Sequence, residues 1–323
     1  MSSDVYSIRE FQPRDYPEES HVWSEIEPGM RFSAEEIRRF DEVAFTPPMV
    51  SFKIVAEERS FGKAVAFGYL QSDIESFDPH TFWVDVAVAA EHRRRGLGLA
   101  LAGAINLEAG RRNARRLWAG VRADDPRAVR FLSHQGFSER RRTWRSNLDL
   151  AGAENLPDRT ELLTREGISF TTLAEENMES TEFLRDLYDL SVSTSTDEPR
   201  IGPYTPLTFE RWVELEIREP WLLPEAYFLA REGGRFVALS TLRRSEVEPG
   251  TLIQAFTGTR AEFRGRGIAT ELKRRGLEYG RRHGYQRIRT GNDSLNHPML
   301  AINRRMGFLP ERERIVSEKD LGG

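Results

Sequence analysis

Apolar and polar positions fall into short alternating or clustered runs along the chain, and one ordered set of these runs occurs twice. In the first half, 5–11, 52–57 and 64–70 read as strands, and Phe82, Val84, Val86 and Val88 mark one face of a fourth. Leu97, Leu101, Ala104, Ile105 and Leu107 then recur at helical spacing, and 117–121 predicts a further strand. Pro126 opens a last helix and Gly136 closes it. The second half repeats the order: strands at 226–230, 236–242 and 252–257, a helix from Ile268, a strand at 287–290, and a helix from near Pro298 to Gly307. Each half also carries a helical, loop-rich insertion, 15–48 and 177–220. Within the second, 191–196 reads either as a flexible linker or as a lid.

The repeat is exact in spacing. Ala90-Glu-His-Arg-Arg-Arg-Gly-Leu-Gly98 and Ala261-Glu-Phe-Arg-Gly-Arg-Gly-Ile-Ala269 lie 171 residues apart, and so do the pairs Gly136-Phe137 and Gly307-Phe308. That period is too long for a solenoid and has the size of a domain. The 323 residues therefore predict a duplicated domain: 1–150, a connector at 151–166 broken by Pro157, and 167–323.

Composition narrows the class. With 39% hydrophobic and 30% charged residues the chain is too apolar to be disordered and too polar for a membrane protein. Its longest uncharged stretch, Gly96 to Leu107, has 12 residues, against the ~20 that a spanning helix needs. Met1-Ser2-Ser3-Asp4 starts no signal peptide, and the absence of cysteine excludes disulfides, thiolate metal sites and an acyl-cysteine intermediate. A soluble, cytoplasmic protein is expected. The net charge of −4 argues against nucleic acid as a partner. Only four of the 47 basic residues are lysines; the rest are arginines, whose planar fork suits phosphates and carboxylates. The six histidines show no metal spacing, and no Gly-x-Ser-x-Gly, His-Glu-x-x-His or Walker loop is present, so no metal is expected.

A strand that ends in Arg-x-x-Gly-x-Gly and flows into a helix offers free backbone N–H groups at the helix N-terminus, where a pyrophosphate can sit against the chain. A Rossmann site fits poorly, because the third small residue of its fingerprint falls on Leu101 and the turn lies about 90 residues into each half. Arg93-x-x-Gly96-x-Gly98 and Arg264-x-x-Gly267-x-Ala269 instead resemble the acyl-CoA pyrophosphate loop of the GNAT superfamily of N-acetyltransferases. The later elements resemble it too: Asn296-x-x-Met299 and Asn303-x-x-x-Gly307-Phe308 in the second half, Asp125-x-x-Ala128 and Gly136-Phe137 in the first.

The resemblance covers nearly the whole chain and implies an α+β fold of two tandem GNAT-like domains, each a mixed, mostly antiparallel sheet flanked by helices. Acyl-CoA would enter where the fourth and fifth strands splay apart. Its pantetheine would lie along Val86 to Val88 and Thr257 to Thr259. Its pyrophosphate would sit on Arg93, Arg94, Arg95, Gly96, Leu97, Gly98 and Leu99, or on Arg264, Gly265, Arg266, Gly267, Ile268, Ala269 and Thr270, with Asn296 nearby. The insertions would shape the acceptor pocket. Family members often place a tyrosine acid where this chain has Leu132 and Asn303, so Asn303 is the candidate in the second half. Asp85, before Val86, is the candidate base in the first; in the second, Tyr204, Glu214 and Tyr227 stand in the region from which a base would come.

The implied function is direct transfer of acetyl from acetyl-CoA to the primary amine of a small molecule in a ternary complex, by a monomer or homodimer, with the second half as the catalytic one. Its loop has the fuller form, and it keeps Asn296 where the first half has Asp125. The rival reading is an acyl-CoA-binding sensor or scaffold without turnover.

Overall fold

The computed structural model describes residues 5–27, 32–153 and 156–322. The chain packs as two compact units, one made of Met1–Arg141 with Ile315–Gly323, the other of Arg142–Arg314. Each is an α+β unit built on a mixed, mostly antiparallel sheet, as the resemblance implies.

Unit 1 runs β1 (Tyr6–Glu10), α1 (Tyr16–Ile26), α2 (Ala34–Ala44), β2 (Ser51–Glu58), β3 (Lys63–Gln71), β4 (Thr81–Val88), α3 (Leu97–Arg111), β5 (Arg116–Arg122) and α4 (Pro126–His134). Its strands lie in the order β1-β2-β3-β4-β5, and only β4 and β5 are parallel. Leu97, Leu101 and Ile105 come round to one face of α3 every fourth residue and are buried against Leu70, Phe82 and Leu117. Each such side chain contributes roughly 1.5–3 kcal/mol of burial. Val22 of α1 covers the other face with Val55, Phe67 and Ala87.

Unit 2 takes residues from 142 onward of β6 (Ser138–Asp149), then α5 (Thr160–Arg165), β7 (Ile168–Thr172), α6 (Thr181–Ser195), α7 (Phe209–Trp212), β8 (Leu222–Glu232), β9 (Arg235–Arg244), β10 (Thr251–Thr259), α8 (Ile268–Arg282), β11 (Arg287–Asp293) and α9 (His297–Arg305). Its order is β6-β11-β10-β9-β8-β7, with β10 and β11 the parallel pair. Leu272 and Leu277 of α8 fill one side of the sheet. Leu184, Leu187 and Leu190 of α6 with Trp212 fill the other.

These units are not cut at 150 and 167, as the repeat alone suggests. Residues 143–149 pair with β11, Asp149 opposite Arg287 and Thr143 opposite Asp293. The last strand, β12 (Leu309–Asp320), sends its end to unit 1. There it lies beside β5, with Leu321 N–H donating to Arg115 O at 2.8 Å and Glu318 paired to Arg116 at 3.6 Å. Each repeat's closing strand is thus built into the unit of the other. β6, β7, β12 and α5 also lie outside the strands and helices expected from periodicity. Residues 191–195, weighed as linker or lid, form the last turn of α6.

The parallel pairs position the site. β4 and β5 are joined only at Thr81–Trp83 with Arg116–Trp118, and β10 and β11 only at Thr251–Ile253 with Arg287–Arg289. Beyond those residues both pairs open into a wedge. The β3–β4 ladder runs without a shift from Gln71–Trp83 to Ala66–Val88. The β9–β10 ladder does not: Gln254 faces Leu242 and Phe256 faces Thr241, so Ala255 is an extra residue, a bulge, at the mouth of the second wedge.

Candidate active site

The two arginine–glycine turns have the same backbone. Gly96 (φ 81°) and Gly267 (φ 86°) are left-handed N-caps of α3 and α8, and the residues two before them, Arg94 (φ 64°) and Gly265 (φ 78°), share that conformation. A side chain in the left-handed region costs about 1–2 kcal/mol, so the first loop carries a strain at Arg94 that Gly265 avoids. Both loops aim the first N–H groups of a 15-residue helix outward.

The arginines of both loops have partners within the protein. Arg93 Nε donates to Val88 O and Arg264 Nε to Thr259 O, both at 3.0 Å, so each ties the loop to the end of its strand. Arg264 also pairs with Asp197 at 2.8 Å. Arg95 bonds the Tyr6 hydroxyl, and Arg266 reaches Glu232 at 2.9 Å. The guanidinium that lies over the second loop belongs to Arg159, from the connector: a Cβ built on Gly267 would stand 2.1 Å from its Nη1. Arg159 bonds the helix only through its backbone N–H, to Glu271. Counting back 171 residues leaves it without a counterpart in the first repeat, which is why loop comparison passes over it.

A cavity of about 830 Å³ runs through unit 2 from this loop along β10 to the end of α6. Of the sequence-derived residues it brings together Thr257, Thr259, Arg264, Gly265, Gly267, Ile268, Ala269, Thr270 and Asn296. Asn296 also caps α9 by accepting from Met299 N–H at 3.3 Å. Gly258 is bare because Thr194 Cβ of α6 stands 2.5 Å from where its own Cβ would be. Asn303 is buried behind this wall, donating from Nδ2 to Asn292 Oδ1 at 2.6 Å, and it is Asn292 that lines the cavity. Tyr227 is a core residue whose hydroxyl pKa burial pushes up, and Glu214 pairs with Arg218 at 2.6 Å. The carboxylates on the cavity wall are Asp197 and Glu198.

Reasoning from the sequence missed Lys273. It sits on α8, 2% exposed, with its Nζ 3.2 Å from Gln254 Oε1 and 5.2 Å from the centre of the Phe308 ring, and it lines the cavity. Burial pushes its amine down to about 7. Its rarity as a lysine in an arginine-rich chain, opposite Ala102 of the first repeat, is the signal that marks it.

In unit 1, Asp85 faces Tyr69 across the β3–β4 ladder, and the side of the sheet under the insertion holds an internal ion cluster. Lys53 Nζ binds Glu19 of α1 at 2.9 Å and Asp41 of α2, and stands 4.8–5.4 Å from the ring centres of Phe11, Tyr16 and Tyr69. Burial raises the pKa of both carboxyls, and Lys53 holds them against it. Val86, Val88 and the loop from Arg93 to Leu99 surround the first wedge. Its rim is apolar: Val84, Ala102, Ala119, Val121 and Leu132 stand where unit 2 has Gln254, Lys273, Thr290, Asn292 and Asn303.

Comparison with known proteins agrees with this geometry. The profile of the acetyltransferase (GNAT) family matches residues 6–137 and again 184–308. A mycothiol acetyltransferase of Streptomyces bingchenggensis is 28% identical over 258 residues, 79% of this chain and 77% of that protein. Two solved structures share the fold along their length. A GCN5-related N-acetyltransferase from Sphaerobacter thermophilus has a TM-score of 0.72 at 21% identity, covering 100% of this chain and 98% of its own. A tandem GNAT protein from the clavulanic acid biosynthesis pathway has a TM-score of 0.72 at 21% identity, covering 98% and 99%. No helix among the described residues is long and apolar enough to cross a membrane. Loop, wedge and flanking elements recur in order in both halves and both halves match one family profile: the chain belongs to the GNAT family of acetyltransferases, as a tandem member.

Proposed function

We propose that unit 2 moves an acetyl group from acetyl-CoA directly to the primary amine of a small molecule, and that unit 1 has no part in the transfer. The observation that carries this is the bulged, open wedge of β10 and β11, continuous with the cavity that starts at the Gly267 loop. The residues fit an acyl-CoA: because Gly267 lacks a Cβ, the Arg159 guanidinium lies directly against the N-terminus of α8, a cation beside the N–H groups that would hold a phosphate. Similarity to a protein named a mycothiol acetyltransferase supports acetyl as the group moved.

Bound acetyl-CoA supplies the activated acyl carbon. The chain's own groups do the rest. Arg159 and the first N–H groups of α8 hold phosphate, and the free edge of Thr257–Thr259 aligns the pantetheine arm. Ala255, without a partner on β9, turns backbone into the cavity. Glu198, on the cavity wall, draws the acceptor ammonium and takes its proton; at pH 7.4 an alkylammonium of pKa ~10.4 is protonated about a thousandfold over, so this removal is worth roughly 4 kcal/mol. Asn303 holds Asn292 at the wall. In unit 1 the buried carboxylates of the insertion, Glu19 and Asp41, are already paired with Lys53, and Asp85 is left outside the chemistry.

The test compares Gly267→Glu with Gly96→Glu in the full chain. Gly267→Glu meets Arg159, a left-handed φ and like charge with phosphate, and is expected to abolish CoA binding and amine-dependent thiol release. Gly96→Glu should leave both largely in place. Loss of turnover in the Gly96 variant alone reverses the assignment, and tight CoA binding with no thiol release on any amine gives the sensor reading instead.

A further inference from the structure

The far end of the second wedge is built for a charge that the protein does not supply. Where β10 and β11 close together at Ile253 and Arg289, the next inward-facing residue of β10 is Gln254, and Lys273 of α8 reaches it from below. Gln254 is itself fixed: its Nε2 donates to Thr241 O at 2.8 Å and Phe256 O at 3.0 Å, which leaves Oε1 for the lysine. A buried ammonium whose partners are one amide oxygen and one ring is expensive to keep. The first repeat shows that the fold has no need of it: there Val84 faces Leu70 across the ladder as Gln254 faces Leu242, the Ala255 bulge accounting for the one-residue offset, and the helix position is Ala102. The change is not isolated. Thr290 and Asn292 replace Ala119 and Val121, so the wedge of unit 2 is polar at each of these positions while that of unit 1 is apolar.

The direction of the cavity says which part of a ligand meets this group. Phosphate belongs at the Gly267 end, and the arm runs along Thr259 to Thr257. The thioester then falls at the Ala255 bulge, and whatever the acyl group carries beyond its carbonyl points to Gln254 and Lys273. A methyl group gains nothing from an ammonium there. A carboxylate does, through a charge-assisted bond in a water-poor site.

Resting on the acyl-CoA reading of unit 2, we infer that, besides the acetyl donor, the wedge accepts as a second donor a short acyl-CoA whose acyl chain ends in a carboxylate, a dicarboxylic acid monothioester, and that Lys273 is the residue that binds that carboxylate. In the transfer the acceptor nitrogen bonds the thioester carbon and the carbon–sulfur bond breaks. The sulfur leaves as thiolate and takes up the proton released by the amine, and the product is an amide with a free carboxylate.

The charged side chains elsewhere on this cavity wall are Arg159, Asp197, Glu198, Arg264 and Arg305; the Lys273 amine bonds Gln254 Oε1, and burial pushes it down to about 7. At pH 8 the empty site is therefore mostly neutral and must gain a proton to bind a carboxylate.

The experiment is calorimetric titration of the full chain with CoA, acetyl-CoA, malonyl-CoA and succinyl-CoA at pH 8, in two buffers of different ionisation enthalpy. One of the two carboxylated thioesters is expected to bind at least tenfold tighter than acetyl-CoA and to take up close to one proton, which acetyl-CoA does not. In Lys273→Met the ratio of the two affinities should fall to about one and the proton uptake should vanish. Equal affinities in the unaltered protein, a ratio that survives Lys273→Met, or a variant that weakens all four ligands alike would each overturn the inference. Failure of every CoA compound to bind would remove the acyl-CoA reading beneath it, a distinct outcome.

Discussion

Replacing Lys273 by methionine should make the ligand-free protein more stable. The two side chains have similar length and volume, so the cavity and the contact with Phe308 are kept while the ionisable group is removed. Burial lowers the amine from 10.5 to about 7. Each tenfold loss of proton affinity on folding corresponds to about 1.4 kcal/mol, so holding this lysine costs unit 2 about 3–5 kcal/mol at pH 7. The sign follows from the protons bound. Between pH 7 and 10.5 the unfolded lysine is protonated and the folded one is not, so stability of the unaltered chain rises with pH across that window. The advantage of Lys273→Met is therefore largest at and below pH 7 and shrinks steadily as pH approaches 10.5. Urea unfolding at pH 6, 7, 8 and 9, followed by tryptophan fluorescence and circular dichroism, reads this directly. Only the transition of unit 2 should move. Equal stability of the two proteins at pH 7, or a difference that stays constant with pH, refutes the reasoning, because either result means that Lys273 is solvated. A natural protein keeps such a cost where function needs it.

Two further outcomes are expected. Arg159→Ala should weaken CoA and dephospho-CoA about tenfold each and leave an acyl-pantetheine, which has no phosphate, unaffected; loss confined to CoA would move Arg159 to the ribose phosphate, and no loss would remove it from the site. Lys53→Ala strands Glu19 and Asp41 in unit 1 and should cost about 3–5 kcal/mol at pH 7. That cost should shrink as the pH falls and the two carboxyls become neutral, and a loss independent of pH between 5 and 8 would contradict the ion-cluster account.

Much of the fold was legible because the signals are local. Periodicity marked the central strands and helices, and Pro126, Gly136 and Gly307 marked the ends of α4 and α9 by their backbone chemistry. The glycine–arginine turns located the left-handed N-caps of α3 and α8, Gly96 and Gly267, to the residue. What escaped depends on partners distant in sequence. β6 and β12 are rich in charged residues, lack a period-two apolar pattern and carry nothing that says which sheet they close. The loop motif also did not show the partners its arginines have within the protein: Arg93 and Arg264 bond strand-end carbonyls and Arg266 bonds Glu232, contacts set by the tertiary fold. Arg159 and Lys273 were invisible to motif reading for a related reason. One comes from a connector with no repeat partner, and the other occupies a helix position where family resemblance directs attention to the glycines before it.

The division of the chain into Met1–Arg141 with Ile315–Gly323 and Arg142–Arg314 sets an order of assembly on the ribosome. Unit 2 is one unbroken stretch and can close as soon as residue 314 has emerged. Unit 1, although synthesised first, waits for the final residues of the chain before β5 gains its neighbour. A gene cut at the repeat boundary would leave the first fragment with a surplus segment, 142–149, and without 315–323, and would deprive the second of the strand that covers β11. The boundary of the repeat that is plain in the sequence is therefore not the boundary at which the chain packs.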